Sequence, residues 1–396
     1  MVPEGWKLST IEEVSNVSSG GTPSRKNDTY WNGNIPWVTT AEVQFKVIED
    51  TSEKITEEGL ANSSAKLFPV NTILMAMYGQ GKTRGQVAKL GIEASTNQAC
   101  AAIVLHPGYE VDYYYQFLIS QYENIREMAN SGGQENLSGG IVKSIQVPVP
   151  PYPEQKKIAQ ILSTWDKAIT TTEKLLANSQ QQKKALMQQL LTGKKRLLDK
   201  NGARYPEWKF HKVGKFFTPY KELVSADTNL PILTSSRTGL FEQERSVINE
   251  GSYGVLPKGY FTYRHMSDDL IFKFNLNRSW ERGAISKEYP VFKTDGLDSV
   301  FLEAQLNYGP AFKKFAVQQK QGGTRTRLYY KNLCDFGFKM PSLEEQRKIA
   351  AVLSTADQEI TALQQKLDAL KQEKKALMQQ LLTGKRRVKV DNKEVA

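Results

Sequence analysis

The sequence predicts an α+β protein in which two mixed α/β heads alternate with two long helices that pair with each other. Three observations carry that expectation. The first is an internal repeat. Residues 154–197 and 345–388 align without a gap at a constant offset of 191, with 26 of 44 positions identical. Lys183 to Lys194 match Lys374 to Lys385 at twelve consecutive positions. The second is apolar spacing. Ile349, Leu353, Ala356, Ile360, Leu363, Leu367, Leu370, Leu377 and Leu381 follow alternating steps of four and three, interrupted only at Lys374. That is the seam of a helix packed along another helix. The first copy repeats it at Ile158, Leu162, Trp165, Ile169, Thr172, Leu176, Ser179, Lys183, Leu186 and Leu190, weaker in the middle at Thr172 and Ser179. The third is what lies between. The segments before the two repeats open alike, Pro3-Glu4-Gly5-Trp6-Lys7 and Pro206-Glu207-Trp208-Lys209, and then diverge.

The elements follow in order: a first head over 1–150, a helix over 151–195, a linker and second head over 196–341, a second helix over 342–388 and a polar tail over 389–396. Pro153 suits the first helical position. Ser342 and Glu345 have the spacing of a capping box, each side chain meeting a free backbone N–H of the first turn. Gly193 and Gly384, followed by cations, suit the C-terminal cap and the negative end of the helix dipole. About 40 residues make a rod of roughly 60 Å, too long for one small head to cover. In the first head, strands are expected at Thr72–Tyr78, Ala101–Leu105 and Ile145–Val149, and a helix at Val111–Asn130. In the second head, strands are expected at Gly259–Tyr263, Leu270–Phe274 and Ser299–Phe301, and a helix at Gln305–Gln318. Asn201-Gly202 marks a turn in the linker.

Composition bounds the function. The net charge of +11 invites a polyanionic partner. It is unevenly spread: residues 1–150 carry a net of −5 and residues 201–340 a net of +7. Contacts to DNA in the first head therefore need local basic clusters. Two distant cysteines, Cys100 and Cys334, and three histidines argue against a disulfide scaffold and a metal site. No apolar run approaches a membrane span, and no basic leader precedes an apolar stretch at the N-terminus. A reducing cytoplasm is the expected compartment.

Several turn-rich loops carry basic and amide residues beside aromatics, the chemistry of phosphate and base contacts. In the first head these supply Arg25, Lys26, Tyr78, Gln80, Lys82, Arg84, Gln134 and Asn136. In the second head they supply Arg237, Arg264, His265, Arg278, Arg282, Arg325 and Arg327. Any one of these loops can equally be plain surface. For Arg325 and Arg327, pairing with acidic neighbours such as Asp335 is the competing reading. Gly322-Gly323 beside them allows close approach of backbone to phosphate.

The twelve-residue identity exceeds what a seam requires. It suggests two equivalent surfaces for two copies of one partner, at Lys184, Met187, Gln188 and Leu191, and at Lys375, Met378, Gln379 and Leu382. Catalytic motifs are weak. Gly81-Lys82-Thr83 resembles the end of a phosphate loop, but Ala76 stands where that motif needs glycine. Val149-Pro150-Pro151-Tyr152 resembles the Asn/Asp-Pro-Pro-Tyr/Phe motif of amino-directed DNA methyltransferases, yet the Val149 side chain cannot accept a hydrogen bond. No nucleophile–base pair, paired carboxylates or metal cluster is evident, and no metal is expected.

The repeated Glu-Gln-Lys/Arg-Lys-Ile-Ala helix after two divergent heads resembles the specificity (S) subunit of type I restriction-modification systems. The Pro-Glu-Gly-Trp and Pro-Glu-Trp openings, Thr96-Asn97-Gln98-Ala99-Cys100-Ala101 and the Gln-Gln-Leu-Leu-Thr-Gly-Lys helix ends are similar to phrases of that family. The second head lacks the Thr-Asn-Gln-Ala-Cys phrase. The resemblance implies two target recognition domains, each reading one half of a bipartite, asymmetric site in double-stranded DNA. It implies helices paired as an antiparallel coiled coil, an internal pseudo-two-fold repeat, and a spacer set by the rod. It implies two methyltransferase (M) subunits, and restriction (R) subunits bound through them. S-adenosylmethionine, ATP and Mg would belong to those partners, leaving this chain non-catalytic and without a cofactor. The alternative is a coiled-coil adaptor whose heads bind proteins. A stand-alone methyltransferase is disfavoured by Val149.

Overall fold

The computed structural model describes residues 2–79, 82–130, 136–243, 251–320 and 325–390. Two helices of 39 residues dominate the chain, Tyr152–Leu190 and Leu343–Leu381. Each seam position named above is buried or half-buried, Lys374 included. The helices stop where the glycines predict. Gly193 and Gly384 sit in the left-handed region at φ +69 and +71. The Lys195 N–H then reaches the Gln189 carbonyl and the Arg386 N–H reaches that of Gln380, the closing bonds of a glycine C-cap.

The chain divides into two compact units, Met1–Glu173 with Gln365–Ala396, and Lys174–Gln364. Each long helix is therefore shared between both units. The cores explain why. In the first unit, Trp6, Tyr113, Tyr114, Ile103 and Val147 pack with Ile158 and Leu162 of the first helix and with Met378, Leu381 and Leu382 from the end of the second. In the second unit, Phe261, Phe274, Phe292, Phe301 and Phe336 pack with Leu190, Leu191, Ile349 and Leu353. The helix ends are thus core elements of the heads.

Polar contacts recur in each unit, their residues in and beside the repeated helices 191 positions apart. In the first unit, Lys374 pairs with Asp166 at 2.6 Å. In the second, Lys183 pairs with Asp357. The Glu154 carboxylate accepts from Arg387 (Nε, 2.8 Å) and from the Trp6 indole at 3.4 Å. Glu345 accepts from Arg196 (Nε and Nη2, 2.8 Å each) and from the Trp208 indole at 3.1 Å. Gln155 donates to the Pro150 carbonyl and accepts from the Glu110 N–H; Gln346 does the same with Pro341 and Asp298. The repeated Glu-Gln pair is therefore a joint between a helix start and its head. It also corrects the capping box. Ser342 accepts from the Glu345 N–H at 3.4 Å, but the Glu345 carboxylate turns to Arg196 and Trp208. The first long helix starts at Tyr152, placing Pro153 second.

In the first head a five-stranded sheet runs in the order Ser15–Ser19, Cys100–Leu105, Ile73–Ala76, Val87–Leu90, Val47–Ile48. A three-stranded sheet places Trp31–Val38 between Glu53–Ile55 and Ser95–Thr96. The second head has a four-stranded antiparallel sheet, Phe217–Tyr220, Val291–Thr294, Phe261–Tyr263, Phe274–Leu276, and a three-stranded one around Ser252–Pro257. Each head is closed by a two-stranded ribbon beside its helix start, Lys7–Thr10 with Gln146–Val149 and Lys209–Lys212 with Gly337–Met340.

Four local expectations are overturned. Ser299–Phe301 opens a helix, Ser299–Tyr308, because Asp298 caps the Phe301 N–H at 2.9 Å. The expected helix Gln305–Gln318 is interrupted by Gly309-Pro310, with Pro310 opening a second helix; Val111–Asn130 is likewise two helices, ending and restarting around Gln121. The strand expected at Leu270–Phe274 begins only at Phe274, since Leu270 turns at φ +63.

Candidate nucleic-acid interface

In the second head, loops far apart in sequence meet. Met266–Ser267 and Thr326–Arg327 form an antiparallel ribbon. The Leu328 N–H bonds the His265 carbonyl at 2.8 Å, and the buried Tyr263 hydroxyl bonds the Leu328 carbonyl at 3.0 Å. These bonds hold Arg264, Arg325 and Arg327 side by side. Arg237 joins them through Asp269, which accepts from Nη1 and Nη2 at 2.8 and 2.9 Å. Asn275 fixes the same loop by donating to Ser235 and to the Ser236 carbonyl. The result is a cleft of about 380 Å³ lined by Arg237, Arg264, Lys273 and Arg325, with Ser and Thr hydroxyls between them. Ser267 donates to Asp269 at 2.8 Å; this bond is the largest cause holding that carboxyl below its ordinary value.

Arg325 contacts Asp268 at 3.1 Å, both side chains largely exposed. Arg327 reaches the Tyr329 hydroxyl at 3.5 Å. The acidic neighbour is therefore Asp268; Asp335 pairs instead with Lys212 at 2.9 Å. His265 lies against the Tyr329 ring, and burial pushes its pKa down, which favours the neutral imidazole. Arg278 and Arg282 do not line the cleft. They pair with Glu303 and Glu222. Lys273 does line it and was missed. The signal was its place between the buried Phe272 and Phe274, which turns Lys273 to the opposite face.

In the first head, the loop around Arg25 is held by two indoles. Trp37 donates to the Gly21 carbonyl at 2.9 Å and Trp31 to the Ser24 carbonyl at 3.1 Å. Arg25 lies 3.7 Å over the Trp31 ring and pairs with both Glu53 oxygens. Lys26 is exposed. Backbone bonds bring other candidate loops together. The Met77 N–H bonds the Ala99 carbonyl, and the Leu137 N–H bonds the Met77 carbonyl. Tyr78 and Asn136, both exposed, are thereby neighbours by chain. Tyr122 anchors the next turn through the Lys82 carbonyl, leaving the Lys82 side chain exposed; Arg84 is half-buried. Gln80, Gln134 and Gly322 to Thr324 lie outside the described residues.

The Thr96–Cys100 phrase has a local reason. The Thr96 hydroxyl bonds the Val38 carbonyl at 2.9 Å, and Asn97 accepts the Ala99 N–H at 3.1 Å. The Gly21 N–H bonds the Thr96 carbonyl, and a Cβ on Gly20 would lie 1.9 Å from that oxygen. Exposed Gln98 then accepts from Thr22. Cys100 is buried and its thiol is pushed up to about 12 by burial, so it is protonated at neutral pH.

The repeated helix ends sort into two faces. Leu191, Met378 and Leu382 are buried in the head cores, so they are not available to a partner. Lys184, Gln188, Lys375 and Gln379 are exposed, and Met187 is half-buried. Among the identical residues, Gln189, Thr192, Gln380 and Thr383 are exposed as well.

Two unlike heads, each built on the same helix joint, define a two-headed scaffold. The family profile of the type I restriction modification DNA specificity domain matches residues 3–179 and 286–372. The chain belongs to that family. It is 31% identical over 178 residues to the MjaIX specificity subunit of Methanocaldococcus jannaschii, covering 44% of this chain and 40% of that one. It is 30% identical over 167 residues to the EcoR124I/EcoR124II specificity subunit of Escherichia coli, covering 41% and 40%. The matched region thus spans 40% of the length of each of these relatives. The MjaVIII specificity subunit of M. jannaschii is 24% identical over 421 residues, covering 98% and 94%. The fold is similar to the S subunit from M. genitalium, with a TM-score of 0.60 at 15% identity over 96% of each chain. Among the described residues, no helix is long and apolar enough to cross a membrane.

Proposed function

We propose that this chain is the DNA-reading subunit of a type I restriction-modification enzyme and carries no catalytic site of its own. Each head reads one half of a bipartite, asymmetric target in double-stranded DNA. The observation that carries this reading is the cleft where Arg237, Arg264, Lys273 and Arg325 converge from separate loops. Phosphate contacts supply affinity and register, and base contacts supply sequence choice. The two long helices pair antiparallel as a coiled coil with a pseudo-two-fold repeat, and their length sets the spacer. The Lys374–Asp166 and Lys183–Asp357 pairs support that pairing and its register. The exposed identical residues around Lys184 and Gln188, and around Lys375 and Gln379, each dock one M subunit. R subunits join through M. S-adenosylmethionine, ATP and Mg belong to those partners, and the assembly works in the cytoplasm.

Arg325→Ala and Arg327→Ala test the reading in the complex with M. A lost phosphate contact weakens binding to all sequences and lowers the salt slope by about one. A lost guanine contact costs about 1–3 kcal/mol and relaxes one base position. The proposal expects one of these signatures for at least one variant, confined to the second head's half-site. Unchanged binding at every salt concentration for both variants removes this loop from the interface. Altered preference in the other half-site contradicts independent heads. The adaptor reading predicts no sequence-selective DNA binding by the complex at all.

A further inference from the structure

Arg25, Arg196, Arg237 and Arg387 each place both Nη groups on one carboxylate or span it with Nε and Nη. Two of them, Arg196 on Glu345 and Arg387 on Glu154, close the joints described above, and their carboxylates are buried. The other two, Arg25 on Glu53 and Arg237 on Asp269, stand in loops of the divergent heads. Their side chains remain 53% and 60% exposed. An ion pair this exposed contributes little to stability, so its geometry asks for another account.

Resting on the DNA-reading proposal above, we infer that Arg25 and Arg237 are the base-reading arginines of their heads, each aimed at a guanine edge by its own carboxylate. The end-on pairs occupy one N–H of each Nη. They leave the Nε–H and a second Nη N–H along one edge of the guanidinium. Those two parallel donors match the O6 and N7 acceptors of guanine. The carboxylate also selects against the other use of arginine. A negative charge against the guanidinium cancels its long-range attraction for phosphate and repels a phosphate that comes close, whereas a neutral base edge meets no such penalty.

Both readers are built into rigid surroundings. Arg25 lies 3.7 Å over the ring of Trp31, whose indole is tied to Ser24, while Trp37 is tied to Gly21. Asp269 is fixed by the Ser267 hydroxyl and the Ile271 N–H in a turn where Leu270 takes φ +63. Arg325, by contrast, has a single 3.1 Å contact to an exposed carboxylate and is easily released to a phosphate. The two loops share only Thr-x-Ser-Arg, Thr22–Arg25 and Thr234–Arg237, and are held by different partners, yet each carries the same device.

The test uses the full chain in complex with its methyltransferase partner. Duplexes carry the parental target with each base pair of both half-sites replaced in turn. Arg25→Lys, Glu53→Gln, Arg237→Lys and Asp269→Asn are compared. Each variant is expected to lose about ten- to a hundredfold of discrimination at one guanine, in the half-site of its own head. The arginine and carboxylate variants of one head should act at the same base pair, with no lowering of the salt slope. Glu53→Gln and Asp269→Asn leave the arginine side chain in place, so they decide the matter if a lysine variant assembles poorly. Weakening spread evenly over all replaced base pairs, with no guanine singled out, would overturn the inference in favour of phosphate contacts. Unchanged discrimination in all four variants would overturn it in favour of plain surface pairs. A parental complex with no preference in either half-site would instead defeat the DNA-reading proposal on which the inference rests.

Discussion

Arg196→Ala is expected to destabilise the second unit by about 3–5 kcal/mol, the cost of leaving a buried charge without its partner. Glu345 is fully buried, and Arg196 supplies two of its hydrogen bonds while also bonding the Pro206 carbonyl at 2.7 Å. With alanine at 196 the carboxylate keeps the Trp208 indole but loses its countercharge. For a unit of this size the transition should fall by about 2–4 °C per kcal/mol in a calorimetric scan. Arg387→Ala breaks the equivalent joint of the first unit. Its side chain is 43% exposed against 22% for Arg196, so water screens more of the interaction and the loss should be smaller. Adding Glu345→Met to Arg196→Ala removes the stranded charge and should restore part of the loss. A shift below about 2 °C for Arg196→Ala would show that the joint does not hold the unit together.

Four residues inserted into both long helices, between Glu173 and Lys174 and between Gln364 and Gln365, should lengthen the recognised spacer and leave both half-sites unchanged. The insertion points fall where the two compact units divide. They leave the Lys374–Asp166 and Lys183–Asp357 pairs intact within their units. Four residues add roughly 6 Å and a little over one helical turn, which nearly restores the facing of each head. That length is roughly two base-pair steps of ~3.4 Å. The methylated motif of the insertion mutant, compared with the parent, is the readout. A changed half-site with an unchanged spacer would count against the helices as a ruler.

The long helices were legible because their signal is periodic and repeated. A seam sustained over 39 residues survives any local ambiguity, and a glycine at each end marks the stop. What the repeat concealed was partition. Leu191, Met378 and Leu382 read as partner-facing because identity beyond the seam suggested an outer surface. They are identical because each helix end must fill a head core around a tryptophan. Glu345 likewise read as a cap by spacing alone, since its partner Arg196 lies 149 residues away.

The heads were less legible because their elements are short. Ser299–Phe301 carries a strand-like apolar run, and only the Asp298 side chain turns it into a helix. Leu270 hides a left-handed turn that no residue type announces. At the candidate site, residue types were readable but convergence was not. Arg237, Arg264 and Arg325 come from separate loops and meet only through the Met266–Arg327 ribbon and Asp269. Arg278 and Arg282 have the same chemistry and are drawn off by Glu303 and Glu222.

The central claim is that two heads on one repeated scaffold choose the DNA sequence for a partner's chemistry. The most direct measurement is the pattern of methylated bases in the genome of the host, with and without this chain. The account predicts a single asymmetric motif, two half-sites separated by a fixed unread spacer, that disappears when the chain is deleted. A contiguous motif, or a bipartite one that persists without the chain, would contradict it.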